Sequence, residues 1–261
     1  MADTEELLNV WKDGPTGVIE LARPAVFNCL SMDVHAKLSG ALKTFESDLT
    51  TRSVLICAQG KHFCTGAELG EVKTKRTSET EIDAFLRAGH ETLRAMELGR
   101  LPIICAIQGL CLAGGLELML ACDVVFAGES AKFGDQHAQF GLVPGWGSSQ
   151  RLPRVIGLRR AMDLFLSVRW IEAQKAEQWG LVNYVVPDAD LRAEALAYCA
   201  KLATRSREGL SLMKRLAGEG LDKTLDEAIE FEIREVNAPL RSSPVSEGIA
   251  AFEEKRQPVF S

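Results

Sequence analysis

Several large classes of protein are excluded by what this chain lacks. Its 30 basic residues are outnumbered by 36 acidic ones, for a net charge of −6, and no basic block follows the spacing of a phosphate backbone. Nucleic acid is therefore not an expected partner. No apolar stretch is long enough to cross a bilayer, and the opening Met1-Ala2-Asp3-Thr4-Glu5-Glu6 is acidic where a signal peptide is basic. A cytoplasmic protein with no membrane partner is expected. The seven cysteines, at positions 29, 57, 64, 105, 111, 122 and 199, form no CxxC pair and no dense framework, and several fall inside apolar runs. Reduced, mostly buried thiols follow from that pattern. Neither a metal-ligand cluster nor a redox-cofactor fingerprint is present, so no metal and no resident cofactor are expected. No sequence block repeats.

What remains is a chain of 261 residues, 46% hydrophobic, enough for one sizeable α/β domain with a small appendage. Short apolar segments at Leu7–Trp11 and Gly17–Leu21 flank Asp13-Gly14-Pro15 and predict a β-hairpin. Ser31 is placed to cap a helix over Met32–Leu49, in which Val34, Leu38, Leu42 and Phe45 recur at helical spacing. Strands are predicted at Val54–Ala58, Ile103–Ile107, Val124–Ala127 and Val182–Val186, with helices at Ile82–Leu98 and Ile171–Gly180. The alternation points to a βα-repeating core over residues 1–189. From about Asp190 strand signals stop, and Leu191–Thr204, Arg207–Gly218 and Leu225–Val236 read as helices, giving a helical region over residues 190–261. In the last of these, Leu225, Ala228, Ile229 and Ile233 form an apolar stripe opposite Asp226, Glu227 and Glu230, suited to packing on the core or on another subunit.

Two glycine-containing segments carry the chemistry. The first, Gly60-Lys61-His62-Phe63-Cys64-Thr65-Gly66-Ala67-Glu68-Leu69, directly follows a predicted strand. In the second, Gly109-Leu110-Cys111-Leu112-Ala113-Gly114-Gly115-Leu116-Glu117-Leu118, a strand gives way to a helix near Gly114. A helix start presents unpaired N–H groups to negative oxygen, and the lack of side chains at Gly114 and Gly115 lets a ligand approach closely. Either segment alone also fits an ordinary strand-to-helix turn.

Taken in order with Arg23-Pro24, Asn28-Cys29-Leu30, Ala121-Cys122-Asp123, Phe133-Gly134, Gly141-Leu142-Val143-Pro144-Gly145 and the ending Phe252–Pro258, these segments resemble the crotonase (enoyl-CoA hydratase/isomerase) superfamily over nearly the whole chain. The resemblance implies a crotonase-like α/β spiral core, a helical C-terminal oligomerisation region building homotrimers or homohexamers, and an acyl-CoA substrate in which coenzyme A enters as part of the thioester. It implies that the Ala67 and Gly114 backbone N–H groups form an oxyanion hole for the thioester oxygen, stabilising an enolate. Glu117 matches one of the two catalytic glutamates of family hydratases. His137 stands where the second would be, in Phe133-Gly134-Asp135-Gln136-His137, and an imidazole there can move a proton, hold a water or meet a substrate carboxylate.

Reversible hydration of a 2-enoyl-CoA by Glu117 and His137 is the first expectation. Double-bond isomerisation, or hydrolysis or decarboxylation of a specialised acyl-CoA, is the alternative, and a non-catalytic acyl-CoA-binding subunit the third reading. Gln139, Phe140 and Trp146 are candidates for the acyl pocket, the two aromatics equally for core packing. His90 matches a base of family dehalogenases, but Gly145 stands where their nucleophilic aspartate would be, which argues against that chemistry. His35 and His62 read as ordinary surface or loop histidines, and Asp135 is a polar neighbour without an assigned role.

Overall fold

The two apolar segments around Asp13-Gly14-Pro15 pair as antiparallel strands β1 (Leu8–Asp13) and β2 (Thr16–Leu21) in a computed structural model of the chain. It describes residues 6–260, so the acidic opening at Met1–Glu5 lies outside the described residues. Next come α1 (Met32–Ser47), β3 (Ser53–Ala58), α2 (Leu69–Lys75), α3 (Glu79–Leu98), β4 (Ile103–Ile107), β5 (Leu110–Leu112), α4 (Gly114–Leu120) and β6 (Val124–Gly128). The chain continues through β7 (Lys132–Gly134), α5 (Ser148–Ile156), α6 (Leu158–Ser167), β8 (Ile171–Glu172), α7 (Ala173–Gln178) and β9 (Tyr184–Val186). Helices α8 (Leu191–Ala203), α9 (Arg207–Gly220), α10 (Leu225–Val236) and α11 (Ser243–Glu253) follow.

The main sheet runs β1-β2-β3-β4-β6-β9, with β1 antiparallel and the remaining neighbours parallel. Its strands are apolar on both faces because helices cover both. Alternate residues divide between two cores, as the two-residue period of a strand requires. Ile19, Val54, Ile56, Ile103 and Cys105 join Val34, Leu38 and Phe45 of α1 and Leu93 and Met96 of α3. Val18, Leu55, Cys57, Ile104 and Phe126 face Leu191, Ala195 and Cys199 of α8 instead. The Ser31 hydroxyl accepts from the Val34 N–H and caps α1, a contact worth about 1 kcal/mol. A second sheet, β5-β7-β8, positions the chemistry: β5 leads directly into α4, and β7 ends one residue before Asp135.

The α/β architecture is the one expected, and several details differ. Ile171–Gly180 is not one helix: Ile171 and Glu172 pair with β7, and only Ala173–Gln178 coils before Gly180 turns the chain at φ 75°. The strand expected from Val182 begins at Tyr184, because Asn183 Oδ1 accepts from the Val125 N–H and its own N–H reaches the Val125 carbonyl. Helix α1 stops at Ser47, and α3 starts at Glu79 behind its Ser78 cap. Five of the seven cysteines are buried and none is bridged. Lys214 of α9 ties the C-terminal helices to the core by donating to the Met96 and Leu101 carbonyls and to Asp123. On α10, Phe231 is buried while Leu225, Ile229 and Ile233 face outward. No helix among the described residues is long and apolar enough to cross a membrane.

Candidate functional site

The loop from β3 to α2 is stitched on both sides. Leu30 donates to Gly66 O and accepts from the Glu68 N–H, while Cys64 donates to Leu110 O and accepts from the Leu112 N–H. Asn28 Nδ2 donates to the Gln59 and His62 carbonyls, and Arg23 pairs with Glu68 at 2.7 Å. The early Arg23 and Asn28 segments thus brace this loop. Within it the Ala67 N–H donates to no acceptor among the described residues. Facing it is the start of α4, where the Gly114 N–H is likewise without an acceptor.

Backbone geometry aims this second amide. Ala113 has φ 48° and ψ −119°, a region that costs an L-residue about 1–3 kcal/mol, and it is held there by its own N–H donating to Gly134 O. Both glycines are needed for the approach. A Cβ on Gly66, itself at φ 113°, would sit 3.0 Å from the Gly114 nitrogen, and a Cβ on Gly114 would meet Trp146 at 2.7 Å and the Ala67 nitrogen at 3.2 Å. Two unpaired N–H donors therefore converge where no side chain can intervene, the arrangement that stabilises a developing oxyanion.

Glu117 lies one turn into α4 and is 1% exposed. Its Oε1 accepts from the Trp146 N–H at 2.8 Å and the Ser148 N–H at 2.9 Å. Its Oε2 accepts no hydrogen bond from the described residues and lies 3.9 Å from His137 Nε2. Burial raises the carboxyl above its ordinary range; the two amides and the His137 charge oppose this without cancelling it. On the other side of the imidazole, Nδ1 lies 2.8 Å from Asp135 Oδ1. Burial works against a positive His137, but the Asp135 hydrogen bond and the charges of Asp135 and Glu117 outweigh it and hold the ring above the usual histidine range. For Asp135, burial pushes upward and the His137 and Ser148 hydrogen bonds win, leaving it low and ionised. Ser148 was not singled out from sequence. It joins the two acids, its N–H on Glu117 and its hydroxyl donating to Asp135 Oδ2 at 2.7 Å.

Ala67, Gly114, Glu117 and His137 all line one cavity of about 630 Å³. The rest of the wall is mainly apolar, with Ile82, Phe85 and Leu86 of α3, Leu69 and Val72 of α2, and Phe140, Leu142 and Trp146. A cavity of this size, with few polar groups converging at one end, suits a small ligand with an apolar body. Phe140 lines it from the rim, 67% exposed, so it is not a core residue, whereas Trp146 does both jobs, facing the cavity while 2% exposed. Gln139 is exposed and points away from the lining, because the turn at His137–Phe140 presents its neighbours instead.

His35 corrects another expectation. It is 1% exposed beneath Trp146, edge-on with ring centroids 4.6 Å apart, and neither ring nitrogen has a hydrogen-bond partner among the described residues. Its helix face, read only for apolar spacing, turns this residue inward as well. His62 accepts from the Leu110 N–H and stacks on Phe27, a structural role, and His90 is exposed on α3.

Comparison with known proteins identifies the family of the chain. Residues 14–261 match the family described as Enoyl-CoA hydratase/isomerase. A probable enoyl-CoA hydratase of Rhizobium meliloti is 35% identical over 98% of both chains, and a short-chain-enoyl-CoA hydratase of Clostridium acetobutylicum is 30% identical over 94% of both. The crystal structure of an enoyl-CoA hydratase from Bacillus anthracis superimposes with a TM-score of 0.93 at 32% identity, covering 98% of this chain and 99% of that one. With a family match over almost its whole length and a relative 35% identical over 98% of both chains, this chain belongs to the enoyl-CoA hydratase/isomerase family.

Proposed function

We propose that the protein reversibly hydrates a 2-enoyl-CoA, with coenzyme A entering as part of the substrate. The observation that carries this reading is the pair of unpaired amides, Ala67 and Gly114, converging at the end of an apolar cavity that also holds the free Oε2 of Glu117. The thioester oxygen accepts from both amides, and the charge that develops on it as the enolate forms strengthens those bonds more than the ground state does. Glu117 Oε2 takes a proton from water adding to C3, and the His137 Nε2–H supplies the proton to C2. Two proton-handling groups 3.9 Å apart favour addition across a double bond over a one-base isomerisation.

The test is loss of the conjugated enoyl-thioester absorbance over a panel of acyl chain lengths, with the 3-hydroxyacyl product identified by mass. Glu117→Gln should lower kcat about 10²–10⁴-fold with KM little changed. Tight binding without turnover across the whole panel would favour the non-catalytic reading, and conversion to a shifted double bond without water uptake would favour isomerisation.

We also propose that residues 1–189 hold the site while residues 190–261 build a homotrimer or homohexamer, in a cytoplasmic setting that keeps the thiols reduced. The outward Leu225, Ile229 and Ile233 of α10, with Phe252 of α11, support that assembly. A stable monomer in sedimentation at assay concentrations would rule it out.

A further inference from the structure

Asp135 lies outside the cavity lining, yet every one of its acceptor positions is directed at the site's proton machinery. Its Oδ1 accepts from the His137 backbone N–H at 3.3 Å and faces His137 Nδ1 at 2.8 Å, and its Oδ2 accepts from the Ser148 hydroxyl at 2.7 Å. The chain from Ser148 through Asp135 to His137 ends at Nε2, which looks across 3.9 Å at Glu117 Oε2. Ser148 closes the loop by donating its backbone N–H to the other oxygen of the same glutamate.

We infer that Asp135 is the positioning residue of the site, holding His137 by Nδ1 as an imidazolium whose Nε2–H is the proton delivered to the substrate's α carbon. This rests on the hydration reading above. A carboxylate behind an imidazole fixes its orientation and stabilises its charge without itself exchanging a proton. The titratable groups facing the ring are Asp135 from its own turn and Glu117 from α4; the contact from α5 is the neutral Ser148. Helix α6 also packs on this turn, but its Arg160 is directed to the Trp179 carbonyl, its Asp163 to Arg169, and its Arg159 is exposed.

The step balances with these groups alone. A water O–H bond breaks and its proton goes to Glu117 Oε2 while the oxygen bonds to C3. The C2–C3 π pair moves into the enolate held by Ala67 and Gly114, then returns to form the C2–H bond as the Nε2–H bond breaks. Proton return from Glu117 to His137 through the following water restores both groups, and nothing is oxidised or reduced. Because Asp135 favours the charged imidazole, that returning proton settles on His137 rather than staying on Glu117, which readies both groups for the next turnover.

The experiment is a histidine NMR titration of the whole protein, with the His137 signal assigned by its loss in His137→Gln, on wild type and Asp135→Asn. The His137 midpoint should fall in Asp135→Asn, and the alkaline limb of the kcat/KM profile, where the acid form is lost, should move to lower pH with it. At pH 8, kcat should drop about tenfold or more with KM little changed. Should Asp135→Asn fail to fold, Ser148→Ala, which loosens Asp135 through Oδ2, should lower the midpoint less and kcat less. An unmoved midpoint and an unmoved pH profile in whichever variant folds would overturn the assignment. The NMR midpoint needs no substrate: a protein that hydrates nothing but shows the shift would fail the hydration reading while keeping Asp135 as the group that charges His137.

Discussion

The two ends of the cavity are built on opposite terms. At the chemical end, Glu117, Asp135 and Ser148 are buried and hydrogen-bonded to one another's segments, so every position is specified by a partner. At the rim, Phe140 and Val143 are 67% and 81% exposed, and they border the ligand space with apolar surface alone. A buried polar network loses free energy with each missing partner, whereas an exposed apolar wall loses only contact area. The chemistry is thus fixed by geometry, and the acyl group is met by a surface that can change cheaply.

That contrast breaks most visibly at the two amides proposed to hold the thioester oxygen. Gly114→Pro removes one donor and forces a ring toward Trp146, so kcat should fall about 10²–10³-fold, close to the value of a single oxyanion donor. Stopped-flow turnover on the best substrate measures it, and a folded variant with full activity would remove Gly114 from the site.

Behind the same wall, His35 offers a stability test of the second-largest size. Burial holds its imidazole down at about 4, against an ordinary value near 6.5. A lowered histidine favours the folded state only while neutral: as pH falls below 6.5 the unfolded chain takes up a proton that the folded one refuses. Stability is therefore lost between 6.5 and about 4, by about 3 kcal/mol at most, and levels off below. His35→Leu should flatten that slope and stabilise the protein at pH 4.5 relative to wild type, read from denaturant midpoints at pH 7 and pH 4.5. Parallel pH dependences in the two proteins would contradict it.

The smallest effect belongs to the rim. Phe140→Ala should leave kcat within about twofold and raise KM only a few-fold for long acyl chains, because an exposed side chain surrenders little burial. A large kcat loss would mean that the rim, too, is part of the chemistry.

The contrast also explains what could be read from sequence. The segments that carry Ala67, Gly114 and Glu117 were legible because turn and helix-start signals lie within a few residues of each. The Asp135 and Ser148 link was not: it joins residues 13 apart in sequence across two elements, and no periodicity marks it. Asp135 standing two residues before His137 was the one available hint. His35 meets Trp146 from a helix far earlier in the chain, so its burial needed the fold. Strands β5, β7 and β8, of two or three residues each, are too short to show a period, and α5 was hidden by Pro153 inside it.

Helix α5 begins at Ser148 behind Gly147, a residue with no side chain to cap it, and the oxygen that satisfies its first amide is Glu117 Oε1, 31 residues earlier in the chain. The proposed base is thus also the clasp that closes a helix end. Exchange of the Trp146 and Ser148 amide hydrogens with solvent should follow the charge on that carboxylate, slow while it is ionised and faster once it is protonated. Two ordinary peptide groups then serve as built-in reporters on the proton at the centre of the site, readable with no substrate present.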